Sequence, residues 1–373
     1  MDNRPRLSSL TSARFFAAAA VVVAHFGLGR AFESEVLKNW LALSWQAVTF
    51  FFVLSGFIMA YSYGRLGTPN LSVSPRIFWL ARAARILPAY YVALLIALPT
   101  FVYGTLFGRS PSPDLLVPGL FLVPLLLQSW IPPYALLWNV PAWSLSVEWF
   151  FYLIFPWLWK SVAARSNKSL LVLSCSLILI TAAVRMNPLG VEGAVNSPWR
   201  PNFLAYFPFF HLPSFFLGVV FGLIFIRGGR LPPTIGALTF WIAWILMLGF
   251  TGMQAWLPRW TANDATMTVV FGALIFGAAS AGPGRLNLLN RPIAVLLGNI
   301  SYAIYILHIP LLWWWNVVVH RWLGVEISII VDFAVYFGLV ILISLLVHFL
   351  IERPMRKEIV DRFASRIFRQ TAC

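Results

Sequence analysis

Charge is scarce in this 373-residue chain. Only 10% of its residues are Asp, Glu, Lys or Arg, against about 25% in soluble domains. Acid is scarcer than base, with 12 Asp and Glu beside 27 Lys and Arg. Cysteine is almost absent: Cys175 sits inside an apolar run and Cys373 at the last position. Two such cysteines exclude a disulfide framework and a cysteine zinc site, and no metal centre is expected. No low-complexity tract or internal repeat stands out, and no stretch is polar enough for a soluble appendage.

Apolar residues are abundant: 60% of the chain is hydrophobic and the mean hydropathy is +0.81. That composition means an integral membrane protein, whose helices each need about 20 mostly apolar residues. Candidate spans are 12–29, 40–62, 77–103, 143–160, 169–186, 203–226, 232–252, 267–281, 293–319 and 327–351. The first has a basic flank but a poor cleavage site, so it is expected to be a span and not a signal peptide. The net charge of +15 does not point to nucleic acid. The basic residues lie in short loops between spans: Arg65 and Arg76, Lys160 to Lys168, Arg227 and Arg230, Arg285 and Arg291. Cytoplasmic loops carry such an excess. An eleventh apolar run, 115–130, contains Pro118 and Pro124. If it crossed, every later basic loop would move outside. The expected fold is therefore an all-α polytopic membrane protein of ten spans with both termini cytoplasmic. Run 115–130 is then re-entrant or on the outer surface. One transmembrane domain covers 1–356, and 357–373 is a basic cytoplasmic tail.

Ionisable residues inside spans are functional candidates by default. Arg14 and His25 are eleven residues apart in the first span. At about 100° per residue they share a helix face, separated by roughly 16 Å along the axis. The alternatives are an Arg14 that snorkels and a His25 that satisfies a neighbouring helix. "WSLSVEWFFY", 143–152, places Ser144, Glu148 and Tyr152 at i, i+4 and i+8, with Ser146 between them. Glu148 then lies about 8 Å below the outer edge, at a depth similar to His25. A carboxylate there can orient and stabilise a protonated imidazole. A structural Glu–Ser–Tyr network competes with that reading. Arg82 and Arg85 stand one to two turns into a span from its cytoplasmic start, and arginine forks suit phosphate. Positive-inside anchoring explains Arg76 better than it explains these two. "LGNISYAIYILHIP" adds Ser301, Tyr302 and His308, and "IERP" adds Glu352 and Arg353, readable as a helix-end ion pair or as donor-site groups. Trp130, Trp138, Trp199, Trp256 and Trp260 in the outer segments are read mostly as interfacial anchors.

These segments, in this order, resemble the acyltransferase-3 family of integral membrane O-acyltransferases. The likeness rests on Arg-x10-His in the first span, "FFVLSGF" at 51–57, Arg-x-x-Arg at 82–85, "WSLSVEWFFY", "ISYAIYILHIP" and "ERP", and covers roughly residues 7–356. It implies a ten-helix core. It also implies transfer of an acyl group, usually acetyl, from cytoplasmic acyl-CoA to a hydroxyl of a glycan or glycolipid acceptor. Acetyl-CoA would be a co-substrate, with no permanently bound cofactor. The resemblance points to His25 as catalytic, to Glu148 and Tyr152 as active-site groups, and to Arg14, Arg82 and Arg85 as acyl-CoA-binding. Many members carry an acid three residues before the first-helix arginine, where this chain has Thr11. The chain looks most like stand-alone members of the bacterial inner membrane acting on exopolysaccharide or lipo-oligosaccharide precursors. In the mechanism this suggests, Arg82 and Arg85 hold the CoA phosphates, and the pantetheine arm passes Arg14. His25 then deprotonates the acceptor hydroxyl. Tyr152, Ser146 or Tyr302 could serve the oxyanion, and a covalent intermediate stays open. The rival reading is a transporter or flippase for a lipid-linked sugar or small solute.

Overall fold

A computed structural model describes residues 4–108, 113–186, 200–258, 263–282 and 284–359. Trp199, Trp260 and the tail from 360 onward, with Cys373, lie outside the described residues. The chain is helical, and among the described residues no β-strand occurs beyond an isolated Gly64–Leu71 bridge. Among the described residues, eight helices are long and apolar enough to cross a membrane: 8–26, 46–63, 75–107, 167–185, 208–226, 233–252, 292–322 and 329–359. Each coincides with an expected span. The remaining two expected spans are also helices, Ala142–Val162 and Asp264–Ser280. The first has 21 residues but carries Glu148 and four tryptophans, which lower its hydropathy; the second has 17 residues. The protein is an all-α polytopic membrane protein. It divides into two compact units, residues 1–72 with 154–301 and residues 73–153 with 302–373.

The first unit contains α1 (Ser8–Phe26), α2 (Glu35–Leu41), α3 (Ser44–Tyr63), the end of α6 (Ala142–Val162), α7 (Asn167–Met186), α8 (Arg200–Tyr206), α9 (Leu212–Ile226), α10 (Pro233–Gly252), α11 (Asp264–Ser280) and the start of α12 (Pro292–Trp315). Small residues set its packing. A Cβ on Gly218 would fall on the Val53 carbonyl, one on Gly222 on Phe57, and one on Gly56 on the Phe215 carbonyl. α3 and α9 therefore run parallel, backbone against backbone, the close approach that glycine permits in membrane helices. Gly236 and Gly277 do the same for antiparallel α10 and α11. Around these contacts pack Leu10, Phe50, Phe57, Phe225, Phe271 and Ile275.

The two ends of this unit differ chemically. At one, Arg4 donates to the carbonyls of Tyr61 and Gly64, and Arg227 reaches Asn167 Oδ1 (2.6 Å) and the Ala163 carbonyl (2.7 Å). Lys160, Arg165 and Lys168 belong to the same end by sequence. At the other, Asn39 and Trp40 of α2 donate to the carbonyls of Gly252 and Leu248 at the close of α10. α3 finishes at the basic end, where Gly64 abuts the Trp159 ring near the close of α6. The chain between them therefore crosses an even number of times. Helices α4 (Pro75–Phe107) and α6 supply two crossings, so the stretch between them adds none.

That stretch belongs to the second unit. Here α4 (Pro75–Phe107) starts on a Ser74 cap that accepts from the Ile77 N–H (3.4 Å), with Pro75 at its first position. The proline fits because a first-turn N–H has no helical acceptor. After α5 (Leu116–Leu122) the chain continues in short turns to α6. Run 115–130 is thus partly folded inward: Val123, Leu126, Gln128 and Ser129 are buried. Irregular backbone at membrane depth needs partners inside the protein. Ser146 Oγ donates to the Leu126 carbonyl (2.6 Å), Ser129 Oγ to that of Trp143 (2.7 Å) and Gln128 Nε2 to that of Ala142 (2.9 Å). Trp138 is a core residue and not an interfacial anchor. It is buried, stacks parallel on Phe101 at 5.1 Å and donates to the Leu94 carbonyl. Trp130 meets Phe150 edge-on, and Trp256 is exposed. The unit closes with α13 (Ile329–Val347), which continues through a π-helical turn, His348–Glu352.

Candidate active site

Helix α1 carries Arg14 and His25 on one uninterrupted run of 19 residues, ended by Gly27 in the left-handed region (φ 80°). Gly27 supplies the conformation that closes a helix at little steric cost. The helix fits closely against its neighbours: Ser12 Oγ donates to the Leu289 carbonyl (2.6 Å), and a Cβ on Gly298 would meet the Thr11 carbonyl. Thr11 Oγ1 faces its own Leu7 carbonyl at 3.5 Å. His25 lies in the last turn, at the end of the unit opposite the basic one, and its side chain is exposed. Its Nδ1 stands 3.0 Å from the Val21 carbonyl. A carbonyl only accepts, so Nδ1 carries the hydrogen and Nε2 is the basic nitrogen of the neutral ring. Arg14 is half-buried.

The second unit gathers six of the expected residues. Arg82 is buried in α4 with its guanidinium 5.8 Å from the centre of the Tyr152 ring. The Tyr152 hydroxyl donates to Glu148 Oε1 at 2.5 Å, one turn back along α6, and Trp79 Nε1 donates to the Tyr152 carbonyl. The charges of Arg82 and Arg85 both reach Tyr152. Tyr302 donates to the Ile86 carbonyl (2.7 Å) and lies in the field of Glu148 and Glu352. The result is two arginines, two acids and two tyrosines from α4, α6, α12 and the final turn of α13. Arg76 is exposed near the start of α4, as anchoring requires.

Of the other expected residues, Ser146, Ser301 and His308 are tied to main chain. Ser146 joins α6 to the inward loop, accepting from the Ser129 N–H (3.4 Å) as it donates to Leu126. Ser301 donates to the Gly298 carbonyl, and buried His308 pairs Nδ1 with the Tyr305 carbonyl at 2.7 Å. Ser144 bonds the Tyr305 hydroxyl at 2.7 Å. Glu352 is 5% exposed and bonds His348 Nδ1 at 2.9 Å, while Arg353 is exposed. Sequence reading missed His348. The two residues are four apart, a spacing that places them side by side on a helix, and the turn that carries them is π-helical, a form that recurs at functional sites. It also missed Asp332, buried at the start of α13 and bonded to Trp315 Nε1 (2.9 Å) and His320 Nε2 (3.0 Å). An acid inside an expected span was the available signal. No group of metal-binding side chains occurs among the described residues.

A family profile described as an acyltransferase domain matches residues 7–352. The chain belongs to the acyltransferase-3 family of integral membrane O-acyltransferases. Acyltransferase MdmB of Streptomyces mycarofaciens is 30% identical over 339 residues, covering 87% of this chain and 82% of MdmB. The exopolysaccharide production protein ExoZ of Rhizobium meliloti (strain 1021) is 28% identical over 74% of this chain and 78% of its own length. YrhL of Bacillus subtilis (strain 168), named as a putative peptidoglycan O-acetyltransferase, is 26% identical over 97% of this chain and 57% of YrhL. No solved structure matches the chain significantly.

Proposed function

We propose that this acyltransferase moves an acetyl group from cytoplasmic acetyl-CoA to a hydroxyl of an extracytoplasmic or lipid-linked glycan, in the inner membrane of a bacterium. The observation that carries the proposal is the state of His25. Its Nδ1 is bonded to the Val21 carbonyl, which makes Nε2 the proton acceptor, at the exposed end of α1. Nε2 takes the proton of the acceptor hydroxyl. The oxygen attacks the thioester carbonyl, and the tetrahedral intermediate collapses to an ester, expelling the CoA thiolate. The imidazolium returns its proton to that sulfur. Arg82 and Arg85 bind the phosphates of CoA, with Arg14 beside the pantetheine arm. Glu148 and Tyr152 serve the active site. The names of ExoZ and YrhL support a polysaccharide acceptor.

The test is release of free CoA from acetyl-CoA by purified protein in proteoliposomes, with and without a crude envelope glycan fraction. Glycan-stimulated release by wild type, reduced at least 100-fold in His25→Ala with the protein still folded, is the expected result. General-base catalysis is worth about 10²–10⁴-fold. Near-normal release by His25→Ala removes the base assignment. Absence of release with any acyl-CoA favours the transporter reading.

A further inference from the structure

The first unit holds a second polar group that the transfer chemistry above does not use. It lies at the same end of the unit as His25. Arg185, in the last turn of α7, pairs through Nη1 with Oδ2 of Asp264, the first residue of α11. Asp264 Oδ1 accepts from Thr49 of α3 (3.1 Å) and its carbonyl from Thr268 (2.7 Å), which in turn bonds Ser214 of α9 at 2.6 Å. The Arg185 guanidinium lies 5.7 Å from the centre of the Phe210 ring. Acid, hydroxyls and ring together fix the plane of the arginine.

That plane leaves one edge unused. Nε and Nη2 of Arg185 are buried and have no hydrogen-bond partner among the described residues. These two N–H groups share an edge and form the fork that receives two oxygens of a carboxylate or a phosphate. A plain structural lock would turn this fork onto Asp264. Here Asp264 takes the single Nη1 prong, and two buried donors are left unsatisfied, an arrangement folded proteins avoid. Helices α3, α9 and α11 all begin at this end, so their positive ends favour an anion there. The basic end of the unit lies opposite, as for a cytoplasmic face, which puts Arg185 on the acceptor side.

Resting on the proposed transfer to a glycan, we propose that the Nε–Nη2 fork of Arg185 binds a two-oxygen anionic group of the acceptor, the carboxylate of an acidic sugar or a sugar phosphate. The site then selects charged over neutral glycans. Its test is the thermal unfolding midpoint of the purified full-length protein in neutral detergent, titrated with glucuronate, glucose 1-phosphate or methyl glucoside at constant ionic strength. A saturable rise with at least one anionic sugar and none with methyl glucoside is expected. Arg185→Lys keeps the charge but loses the fork, and should weaken that response at least tenfold. The Arg185→Gln/Asp264→Asn pair, neutral on both sides, should abolish it. If the pair does not fold, the lysine variant decides alone. Equal responses to charged and neutral sugars, or an anion response intact in Arg185→Lys, overturn the proposal. So does a response to phosphatidylglycerol with none to either sugar anion, which would make the fork a lipid-headgroup site. CoA release measured in parallel separates the two readings. Release without an Arg185-dependent anion response defeats only this site, and the reverse defeats only the transfer reaction.

Discussion

Tyr152 and Glu148 form a short hydrogen bond within one helix, at 2.5 Å. The bond holds the carboxylate in one rotamer, and Arg82 beneath the ring offsets part of its negative charge. A hydrogen bond to a charged group contributes about 1.5–3 kcal/mol. Tyr152→Phe keeps the buried ring and removes only the donor. It should lower turnover by about tenfold or more, while acetyl-CoA affinity stays within about twofold. Steady-state kinetics with the CoA-release assay decide this, and unchanged turnover would reduce the pair to a structural tie. Residues of this kind are legible in the sequence, because a charge within an apolar run is costly and stands out. Arg185 and Asp264 do not stand out. Asp264 precedes the apolar run expected at 267–281, and Arg185 is the next-to-last residue of its expected span. Each reads singly as a helix-end charge, and their union depends on a contact across 79 positions of sequence.

At the scale of elements, the contact between α3 and α9 depends on glycine. With Gly218 against the Val53 carbonyl and Gly222 against Phe57, neither helix can take a side chain there without moving. Gly218→Ala should therefore cost about 1–3 kcal/mol, the range for overpacking, seen as a lower unfolding midpoint in detergent. Gly249→Ala in α10 is the matched control. Nothing lies within 4 Å of its added Cβ, so the gain in helix propensity should leave stability equal or higher. A Gly218→Ala protein as stable as wild type would show that the two helices separate freely. The number and order of helices followed from apolar run length, and all ten expected spans are helices. What escaped was irregular backbone. The left-handed conformations of Leu126 (φ 58°) and Trp138 (φ 65°) have no glycine to announce them. They are imposed by tertiary contacts of the inward loop, such as the stack of Trp138 on Phe101.

For the whole molecule, the proposed route of acyl-CoA depends on which end of the bundle faces the cytoplasm. The placement of Gly64 against Trp159 requires an even number of crossings between α3 and α7. On the proposed topology, the excess of Arg and Lys at that end lies inside. Glu35 in α2 and Arg165 in the α6–α7 loop are both exposed and sit at opposite ends of the first unit. Single cysteines at these positions, in a background with Cys175 and Cys373 replaced by serine, should react from opposite sides of sealed vesicles. Arg165→Cys should be labelled only from the cytoplasmic side and Glu35→Cys only from the outside. Labelling of both from one side would mean that the 113–142 stretch crosses after all. That result would also move every later basic loop outward, and with it the arginine-lined entry proposed for the donor. Opposite labelling leaves His25 and Arg185 on the outer side, where a glycan hydroxyl can reach the proposed base without crossing the membrane.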